Sequence, residues 1–331
     1  MVLLTPHSSL LTTHSSLLPT TYYLLLTTYY LLLTTYYYIT MKAIPDSELI
    51  INEDGSIFHL HLKPEQLADK VILVGDPARV DLVASFFDRV ECSVENREFR
   101  TSTGTYNGKR ISVISTGIGC DNIDIVLNEI DALANIDFET RTIKEQLRSL
   151  DIVRIGTCGG LQAHCPVGTF IASEISIGFD GLLNFYGGRN EVCDQEFEAK
   201  FMAHMNWQGN QCIPHPYVIH AHEALTERIA QTDMTRGVTI ACGGFYGPQG
   251  RQLRLPLADP QQNEKIVSFR FGDKSITNFE MESSAVAGLS ALLGHKALTV
   301  CMVIANRIAH QANTGYKATI QNLIQKVLDR I

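Results

Sequence analysis

Three short glycine-containing turns each follow an apolar segment, and arginines accompany two of them. Residues 75–79 read GDPAR, residues 116–119 read TGIG, and Arg154 precedes the turn TCGG at 157–160. Glycine lets an anion approach backbone N–H groups, and the guanidinium of arginine donates in pairs to phosphate oxygens. The pattern favours a small phosphate site over a dinucleotide site, because no GxGxxG motif follows the first predicted strand. The alternatives are an ordinary β-turn at 75–79 and a structural salt bridge at Arg154.

A pair of carboxylates forms the second candidate group. Glu280 and Glu282 are separated by one residue, so they share a face if the chain is extended there. A carboxylate in such a place can accept hydrogen bonds from two vicinal hydroxyls, as found on a ribose. The alternative is a solvated glutamate, or one whose charge stabilises the start of the following helix.

The third group lies in the turn-rich loop GGFYGPQGR at 243–251. The amide of Gln249 places a donor beside an acceptor, which suits the edge of a cyclic amide or imide. Phe245 can stack on a planar ring, and Arg251 adds a guanidinium. The alternative is an ordinary surface loop.

These groups follow apolar segments that alternate with amphipathic ones. We predict strands at 70–75, 110–115, 151–156, 168–173 and 298–305, and helices at 80–87, 122–134, 283–293 and 314–331. The alternation predicts an α/β fold, a three-layer sandwich with a central mixed, largely parallel sheet flanked by helices. Ligands of such sheets bind beyond the carboxyl ends of the strands, where the three glycine turns and their arginines would meet. Residues 41–331 form one predicted domain, with inserted segments at 137–150, charged and helix-prone, and at about 187–215.

Residues 1–40 differ from the rest of the chain. They contain no Asp, Glu, Lys or Arg, and residues 3–37 are five copies of a seven-residue unit ending in LLLTTYY. The apolar residues are bunched, Thr-Thr favours helix poorly, and no run is apolar enough to span a membrane. We therefore expect a low-complexity segment that is disordered or translated from upstream of a start at Met41, with a targeting segment as the alternative.

Composition limits the partners. The chain has 331 residues, with 27 Lys and Arg against 35 Asp and Glu, a formal net charge of −8. This balance argues against a nucleic-acid or membrane surface. None of the eight cysteines forms a CxxC pair, which is typical of reduced thiols in a cytoplasmic protein. The pairs His59/His61 and His220/His222 lack accompanying ligands, so no metal site is predicted.

Taken together, the motifs resemble those of the nucleoside phosphorylase family, and within it the uridine phosphorylases. The resemblance runs from about Phe58 to Ile331, and its motifs occur in the family's order: Phe58-His59-Leu60, GDPARV, Asn96-Arg97-Glu98-Phe99, STGIG, RIGTCGG, FYGPQGR, FEMES and VIANR. Three details depart from the better-known bacterial pattern. They are the order Gly247-Pro248, a glycine at 250, and Cys120-Asp121-Asn122 in place of a Gly-Pro-Ser run.

The resemblance implies roles for individual residues. Phosphate would be held by Gly75, Arg79, Arg154 and Thr157, with Arg97 from the neighbouring subunit. Ribose would be held by Met281, Glu282 and the neighbour's His59, and the base by Phe245, Gln249 and Arg251 with Arg307 behind them. Arg79, Arg154, Glu282, Gln249 and Arg251 would carry the catalysis. Glu98 matches a residue that binds a monovalent cation in some members.

The implied activity is phosphorolysis of uridine to uracil and ribose 1-phosphate, with deoxyuridine and thymidine as further substrates to test. Inorganic phosphate would be a co-substrate, no cofactor is expected, and dimers sharing active sites would assemble further into hexamers in some members. One alternative is a purine nucleoside phosphorylase, although the stretch VIANR at 303–307 lacks the aspartate that purine members use to protonate the leaving base. The others are a hydrolytic nucleosidase and a catalytically silent nucleoside-binding or storage protein.

Overall fold

The apolar segments form one mixed sheet of twelve strands in the computed structural model, which describes residues 20–40, 43–207, 213–309, 311–312, 315 and 317–331. A separate hairpin is formed by β5 and β6. The strands, numbered in chain order, are β1 Lys70–Val74, β2 Arg89–Asn96, β3 Phe99–Tyr106, β4 Lys109–Ser115, β5 Ile136–Asp137, β6 Thr142–Ile143, β7 Asp151–Gly160, β8 Phe170–Gly178, β9 Tyr217–His220, β10 Thr235–Ala241, β11 Arg270–Phe271, β12 Lys274–Glu280, β13 Lys296–Asn306 and β14 Gln311–Ala312.

The helices follow the strands much as the hydrophobic pattern predicts. They are α1 Thr20–Thr40, α2 Pro77–Ala84, α3 Cys120–Asn135, α4 Arg189–Val192, α5 Gln195–Met205, α6 Glu223–Ile229, α7 Gln262–Ser268, α8 Ser283–Leu292 and α9 Lys317–Arg330. Asp76 begins α2 by accepting a hydrogen bond from the N–H of Ala78 at 2.9 Å, and Pro77 occupies the first helical position, which suits its fixed φ. The turn at 75–79 is therefore also a helix start.

Four parallel strands form the centre of the sheet. β1 lies between β4 and β7, and β13 lies beyond β7, all in parallel register. β3 and β2 extend the sheet from β4 in antiparallel pairs. Because the four central strands run in one direction, the turns that follow β1, β4 and β7 meet at one edge.

Side chains of β1 alternate between two apolar cores. Val71 and Leu73 pack in the core that contains α3 and α8. Ile72 and Val74 pack in the core that contains α2, α6 and α9. Helices thus cover both faces of the parallel strands, which confirms the predicted mixed α/β sheet with flanking helices.

The sheet also closes on itself, which the sequence did not indicate. β12 pairs with β10 in parallel and with the end of β7 in antiparallel, through Asn278 opposite Gly160 and Phe279 opposite Gly159. With the β10–β8 and β8–β13 pairs, strands β7, β12, β10, β8 and β13 form a closed ring. The description as a sandwich therefore holds for the β4–β1–β7 side, while the other side is a five-stranded barrel.

The two inserted segments have different structures. The expectation of helix within 137–150 is wrong, because the described residues there form the β5–β6 hairpin, in which Ile136 pairs with Ile143. The segment at 187–215 contains α4 and α5. It places Phe197, Phe201 and Trp207 in a third apolar core against the barrel strands.

The described part of the repeat segment is the helix α1, whereas the sequence indicated no ordered structure. Its leucine and tyrosine side chains at 22–26 and 29–33 are exposed. Residues 1–19 and 41–42 lie outside the described residues, and a domain that begins at Met41 stays a prediction. Within the described ranges, no helix combines the length and apolarity that crossing a bilayer requires.

Candidate active site

A cavity of about 640 Å³ lies beyond the carboxyl ends of the parallel strands. Nine of the residues singled out in the sequence line it: Gly75, Arg79, Arg154, Thr157, Phe245, Gln249, Arg251, Met281 and Glu282. They come from the ends of β1, β7 and β12, from the start of α2 and from the loop after β10. The three groups of candidate residues therefore face one space, as the direction of the strands predicts.

The inner wall of this cavity is a charged triad of Arg154, Glu280 and Glu282. Arg154 Nη1 donates to Glu280 Oε2 at 3.3 Å, and Nη2 donates to Glu282 Oε2. Their residues are 5%, 4% and 3% exposed. Gly156 leaves the space that the arginine side chain fills, because a Cβ there would lie 2.5 Å from Arg154 Nη1. A buried arginine needs such partners, so the salt bridge considered as an alternative for Arg154 does exist.

Backbone N–H groups donate hydrogen bonds to the two carboxylates of the triad. Glu282 Oε1 accepts from Gly119 N at 2.8 Å, and Glu280 accepts from the N–H groups of Glu282 and Ser283 at 2.9 Å. Gly119 has a φ of +105°, which favours glycine, and this conformation directs its N–H toward the carboxylate. Glu282 occupies the N-cap position of α8 without bonding the helix N–H groups. Its carboxylate is thus turned toward the cavity rather than used as a helix cap.

The charges of the triad do not balance. Burial raises the pKa of Glu280 to about 7, against the opposing charge of Arg154. Burial also disfavours the charged guanidinium, but the two carboxylates outweigh this effect and raise the pKa of Arg154. Arg154 therefore stays charged, while one proton can be taken up near neutral pH on the carboxylate side.

The phosphate candidates lie next to the triad. Arg79 is in the first turn of α2, and its Nη1 donates to the carbonyl of Ile155 at 3.3 Å. Gly75 follows β1, and Thr157 follows Arg154 by three residues on β7. All three border the cavity, so an anion there would face two guanidinium groups and the N-terminus of α2.

The opposite wall is the loop after β10. Arg251 Nη1 donates to Phe245 O at 2.6 Å and to Gln249 Oε1, and its guanidinium lies 3.7 Å from the centre of the Phe245 ring. Arg307 donates to Gln249 O at 2.5 Å from behind the loop. Burial, together with the charge of Arg251, lowers the pKa of Arg307 to about 10. Gln249 is buried, whereas Phe245 is 49% exposed.

Four predicted site residues do not line this cavity: Arg307 lies behind the loop at 243–251, and the other three lie elsewhere. His59 Nδ1 lies 2.7 Å from Glu129 Oε1, Arg97 is exposed 5.5 Å from the Phe58 ring, and Glu98 is exposed beside it. His59 and Arg97 are the two residues expected to act in a neighbouring subunit. Their position away from the cavity of their own chain agrees with that expectation without testing it.

Glu280, which the sequence singled out together with Glu282, also lines the cavity, although the resemblance gave it no role of its own. The sequence indicated its shared face with Glu282 but not its partner Arg154, which is 126 residues earlier. Ile304 and Ala305 also line the cavity, at the point where purine members of the resembled family carry their acid. Only the register of β13 beside β7 brings them there.

The described residues contain no group of three His, Cys, Asp or Glu side chains that could hold a metal ion. Seven described cysteines are free thiols, and burial raises the pKa of Cys120, Cys158 and Cys242 well above the usual value. The cavity is lined by guanidinium, carboxylate and amide groups, which can supply hydrogen bonds and charge.

The sequence and fold of the chain are similar to those of known phosphorylases. A family model described as the phosphorylase superfamily matches residues 69–331. The uridine phosphorylase of Thermococcus kodakarensis is 28% identical over 265 residues, 78% of this chain and 80% of that protein. A DeoD-type purine nucleoside phosphorylase of Bacillus velezensis is 26% identical over 278 residues, 82% and 98% of the two chains.

A solved structure shares both fold and sequence. The nucleoside phosphorylase of Trypanosoma brucei, described as showing uridine phosphorylase activity, superposes with a TM-score of 0.78 at 31% identity. The match covers 86% of this chain and 99% of that one. The chain therefore belongs to the phosphorylase superfamily, among its nucleoside phosphorylases, and is an enzyme of the pentosyltransferase class.

Proposed function

We propose that this enzyme cleaves uridine with inorganic phosphate, giving uracil and ribose 1-phosphate. One observation carries the proposal: a single cavity has two arginines at one end, a paired carboxylate on its inner wall, and a Gln–Arg pair on the opposite wall. These are the three kinds of group that phosphate, ribose and a pyrimidine base require.

Arg79 and Arg154 bind the attacking phosphate. Phosphorolysis joins a phosphate oxygen to C1′ of the ribose while the base departs through an oxocarbenium-like state. The enzyme has to hold the phosphate below the sugar ring, and no covalent enzyme intermediate is needed. Arg154 keeps its bonds to the two carboxylates, so its contact with phosphate would use its remaining donor directions.

Glu282 binds the ribose hydroxyls. Each carboxylate oxygen has two lone pairs, and one on each is already used by Gly119 or Arg154. The remaining pair on each oxygen can accept from one hydroxyl, so the bound carboxylate presents two acceptors side by side. Met281, which also lines the cavity, packs against the sugar.

Gln249 and Arg251 bind and activate uracil as the leaving group. The amide can donate to one carbonyl and accept from N3–H, while the guanidinium donates to a carbonyl oxygen that becomes negative as the bond breaks. Phe245 stacks on the ring, and Arg307 supports the loop from behind. Adenine has an amino donor where uracil has a carbonyl, so Arg251 would face it without an acceptor.

A purine nucleoside phosphorylase is the second candidate, because DeoD-type purine enzymes are among the relatives. Against it, Ile304 and Ala305 line the cavity and Asn306 follows, so the end of β13 offers no acid to protonate a leaving purine. A nucleosidase or a silent binding protein would have no need of the arginines beside the phosphate site.

We also propose that the enzyme is a cytoplasmic homo-oligomer whose active sites combine two chains. The position of His59 and Arg97 outside their own cavity supports this, since both are expected to reach the neighbour's ribose and phosphate. Dimers would be the minimum unit, with hexamers as a further assembly, and Glu98 is the candidate ligand for a monovalent cation between subunits.

One assay tests these assignments: release of free base from uridine, thymidine, inosine and adenosine, each with and without phosphate. We expect strong cleavage of uridine that depends on phosphate, little of inosine and none of adenosine. Inosine cleavage equal to that of uridine would overturn the pyrimidine assignment. Cleavage without phosphate would point to a nucleosidase, and release of no base at all would point to a binding protein.

A further inference from the structure

We propose that Asp180, which does not line the cavity, is a positioning residue for the ribose subsite. It lies two residues after β8, and its carboxylate connects three elements of the structure. Asp180 Oδ1 accepts from Leu182 N at 2.8 Å and from the hydroxyl of Tyr217 at 2.9 Å. Asp180 Oδ2 accepts from Ser284 Oγ at 2.8 Å. This inference rests on the proposed function, because it concerns the ribose that Glu282 is proposed to bind.

The connection to the ribose subsite runs through Ser284. This residue is fully buried in the first turn of α8, two positions after Glu282. Tyr217, also fully buried, donates its single hydroxyl hydrogen to Asp180, and its oxygen lies 3.1 Å from Ser284 Oγ, so the three side chains form a closed set of polar contacts. These contacts hold the start of α8 against β8 and β9. They therefore also hold the backbone of Glu282, whose carboxylate faces the cavity.

Cys120, the first residue of α3, contacts the same segment. Its Sγ donates to the backbone carbonyl of Met281 at 3.1 Å, on the segment proposed to contact the sugar. Burial raises the pKa of Cys120, and the nearby charge of Asp180 adds to this, so the thiol keeps the proton that it donates. Cys120 also follows Gly119, whose N–H holds Glu282 Oε1. The hydrogen-bonded path from Asp180 to this segment is therefore the one through Ser284, two positions after Glu282.

A purely structural role makes a different prediction from a positioning role. A structural carboxylate would change stability and would affect every nucleoside alike. A positioning carboxylate would change the part of nucleoside binding that depends on the ribose hydroxyls, since misplacing a binding group by about 1 Å can lower rates by about 10²-fold.

The test compares Ser284→Ala with Ser290→Ala in the full-length protein. Both serines are buried in α8, but Ser290 Oγ has no hydrogen-bond partner among the described residues, so its replacement is the matched control. The experiment measures the dissociation constants of uridine and of 2′,3′-dideoxyuridine, which lacks both ribose hydroxyls. The readout is the dissociation constant of 2′,3′-dideoxyuridine divided by that of uridine. We expect Ser284→Ala to lower this ratio about tenfold through weaker uridine binding, and Ser290→Ala to leave it at the wild-type value.

Asp180→Asn is the second variant, to be used if Ser284→Ala does not fold. Its amide nitrogen cannot accept the hydroxyl hydrogen that Oδ2 accepts, so the ratio should again fall. An unchanged ratio in a folded variant, or equal weakening of both ligands together with a lower melting temperature, would overturn the positioning role. Failure of the wild type to cleave uridine in phosphate would instead overturn the proposed function, and the ribose assignment with it.

Discussion

The inner wall of the cavity and the loop on its opposite side are built in different ways. The inner wall consists of Arg154, Glu280 and Glu282, all nearly inaccessible and held by hydrogen bonds to one another and to backbone N–H groups. The base loop, residues 243–251, has hydrogen bonds within itself, from Arg251 to Phe245 and Gln249, and is also held from outside by side chains such as Arg307. About half of the Phe245 surface is exposed.

The difference distinguishes a rigid part of the site, the inner wall, from a part that can change, the base loop. In the proposed reaction the phosphate co-substrate is the same for every nucleoside and the sugar varies little, so the groups proposed to bind them can be locked in place before substrate arrives. The base varies between nucleosides, and under this proposal Arg251 would exchange its loop partners for the base. Sequence changes in the base loop can therefore alter specificity without disturbing the buried charges beside it.

The largest expected effect is that of Glu282→Gln. The amide keeps the volume but loses one acceptor and the charge that faces Arg154. We expect kcat/KM for uridine to fall by about 10²–10³-fold, on the scale of losing one preorganised hydrogen-bonding group. The matched control is Glu198→Gln, another buried glutamate, paired with Arg189 at 2.9 Å but outside the cavity. Equal loss of activity in both variants would mean that the inner wall acts only through stability.

Arg251→Ala tests the base loop. We expect turnover of uridine to fall by about 10²-fold, because the developing charge on uracil loses a donor, and we expect no gain of activity on inosine or adenosine. Arg254→Ala is the control, since Arg254 belongs to the same loop region but is exposed and does not line the cavity. Similar kinetics of the two variants would remove Arg251 from the proposed mechanism.

A mixing experiment asks whether the inner wall and the base loop need a second chain. Arg97→Ala and Arg251→Ala are each expected to have about 10²-fold less activity than the wild type, but a mixed dimer would contain one site with both arginines. Random pairing in twofold dimers should then restore up to about a quarter of wild-type activity. Shared sites would be contradicted if the mixture showed no recovery of activity although subunit exchange had been demonstrated.

Glu280→Gln tests the excess negative charge of the inner wall. Because the folded-state pKa of Glu280 is raised from 4.5 to about 7, its contribution to stability is complete below pH 4.5 and is lost as the pH rises toward 7. The wild type should lose free energy of unfolding relative to the variant over this interval, by at most about 3 kcal/mol. Denaturant unfolding at pH 5 and pH 8 measures the difference, and a constant difference would show that Glu280 titrates normally.

The smallest expected effect is that of deleting residues 1–40. The described part of this segment, α1, has exposed leucine and tyrosine side chains, and the segment contains no charged residue that could serve either wall. A protein starting at Met41 should keep its melting temperature and its activity on uridine. Loss of either would show that the repeat segment takes part in folding or catalysis.

The sequence predicted most of the parallel half of the fold. Predicted strands at 70–75, 110–115 and 151–156 correspond to β1, β4 and the first half of β7, and the helix at 122–134 corresponds to α3. These segments are buried on both faces, so their apolar runs are long and easily recognised. The β2–β3 hairpin was missed because β2 is largely exposed and β3, although mostly buried, consists mainly of polar residues, so neither strand has such a run.

The candidate site was predictable residue by residue but not as an arrangement. Residue type and spacing indicated Arg79, Arg154, Glu282, Gln249 and Arg251, and all five line the cavity. The partner of Arg154 could not be inferred, because salt bridges between residues more than 100 positions apart leave no local pattern. The same holds for the carboxylate of Glu129 at His59, which lies 70 residues away.

The sequence by itself determined the kinds of chemical group in this protein and the strands that carry them, because hydrophobic periodicity and residue type are local properties. Tertiary structure alone decided which groups meet. The antiparallel pairing of β12 with the end of β7 closes the barrel and brings the strand that ends in Glu280 beside the strand that carries Arg154. That pairing depends on backbone hydrogen bonds, which any residue except proline can both donate and accept. It therefore cannot be predicted from the side chains in the sequence.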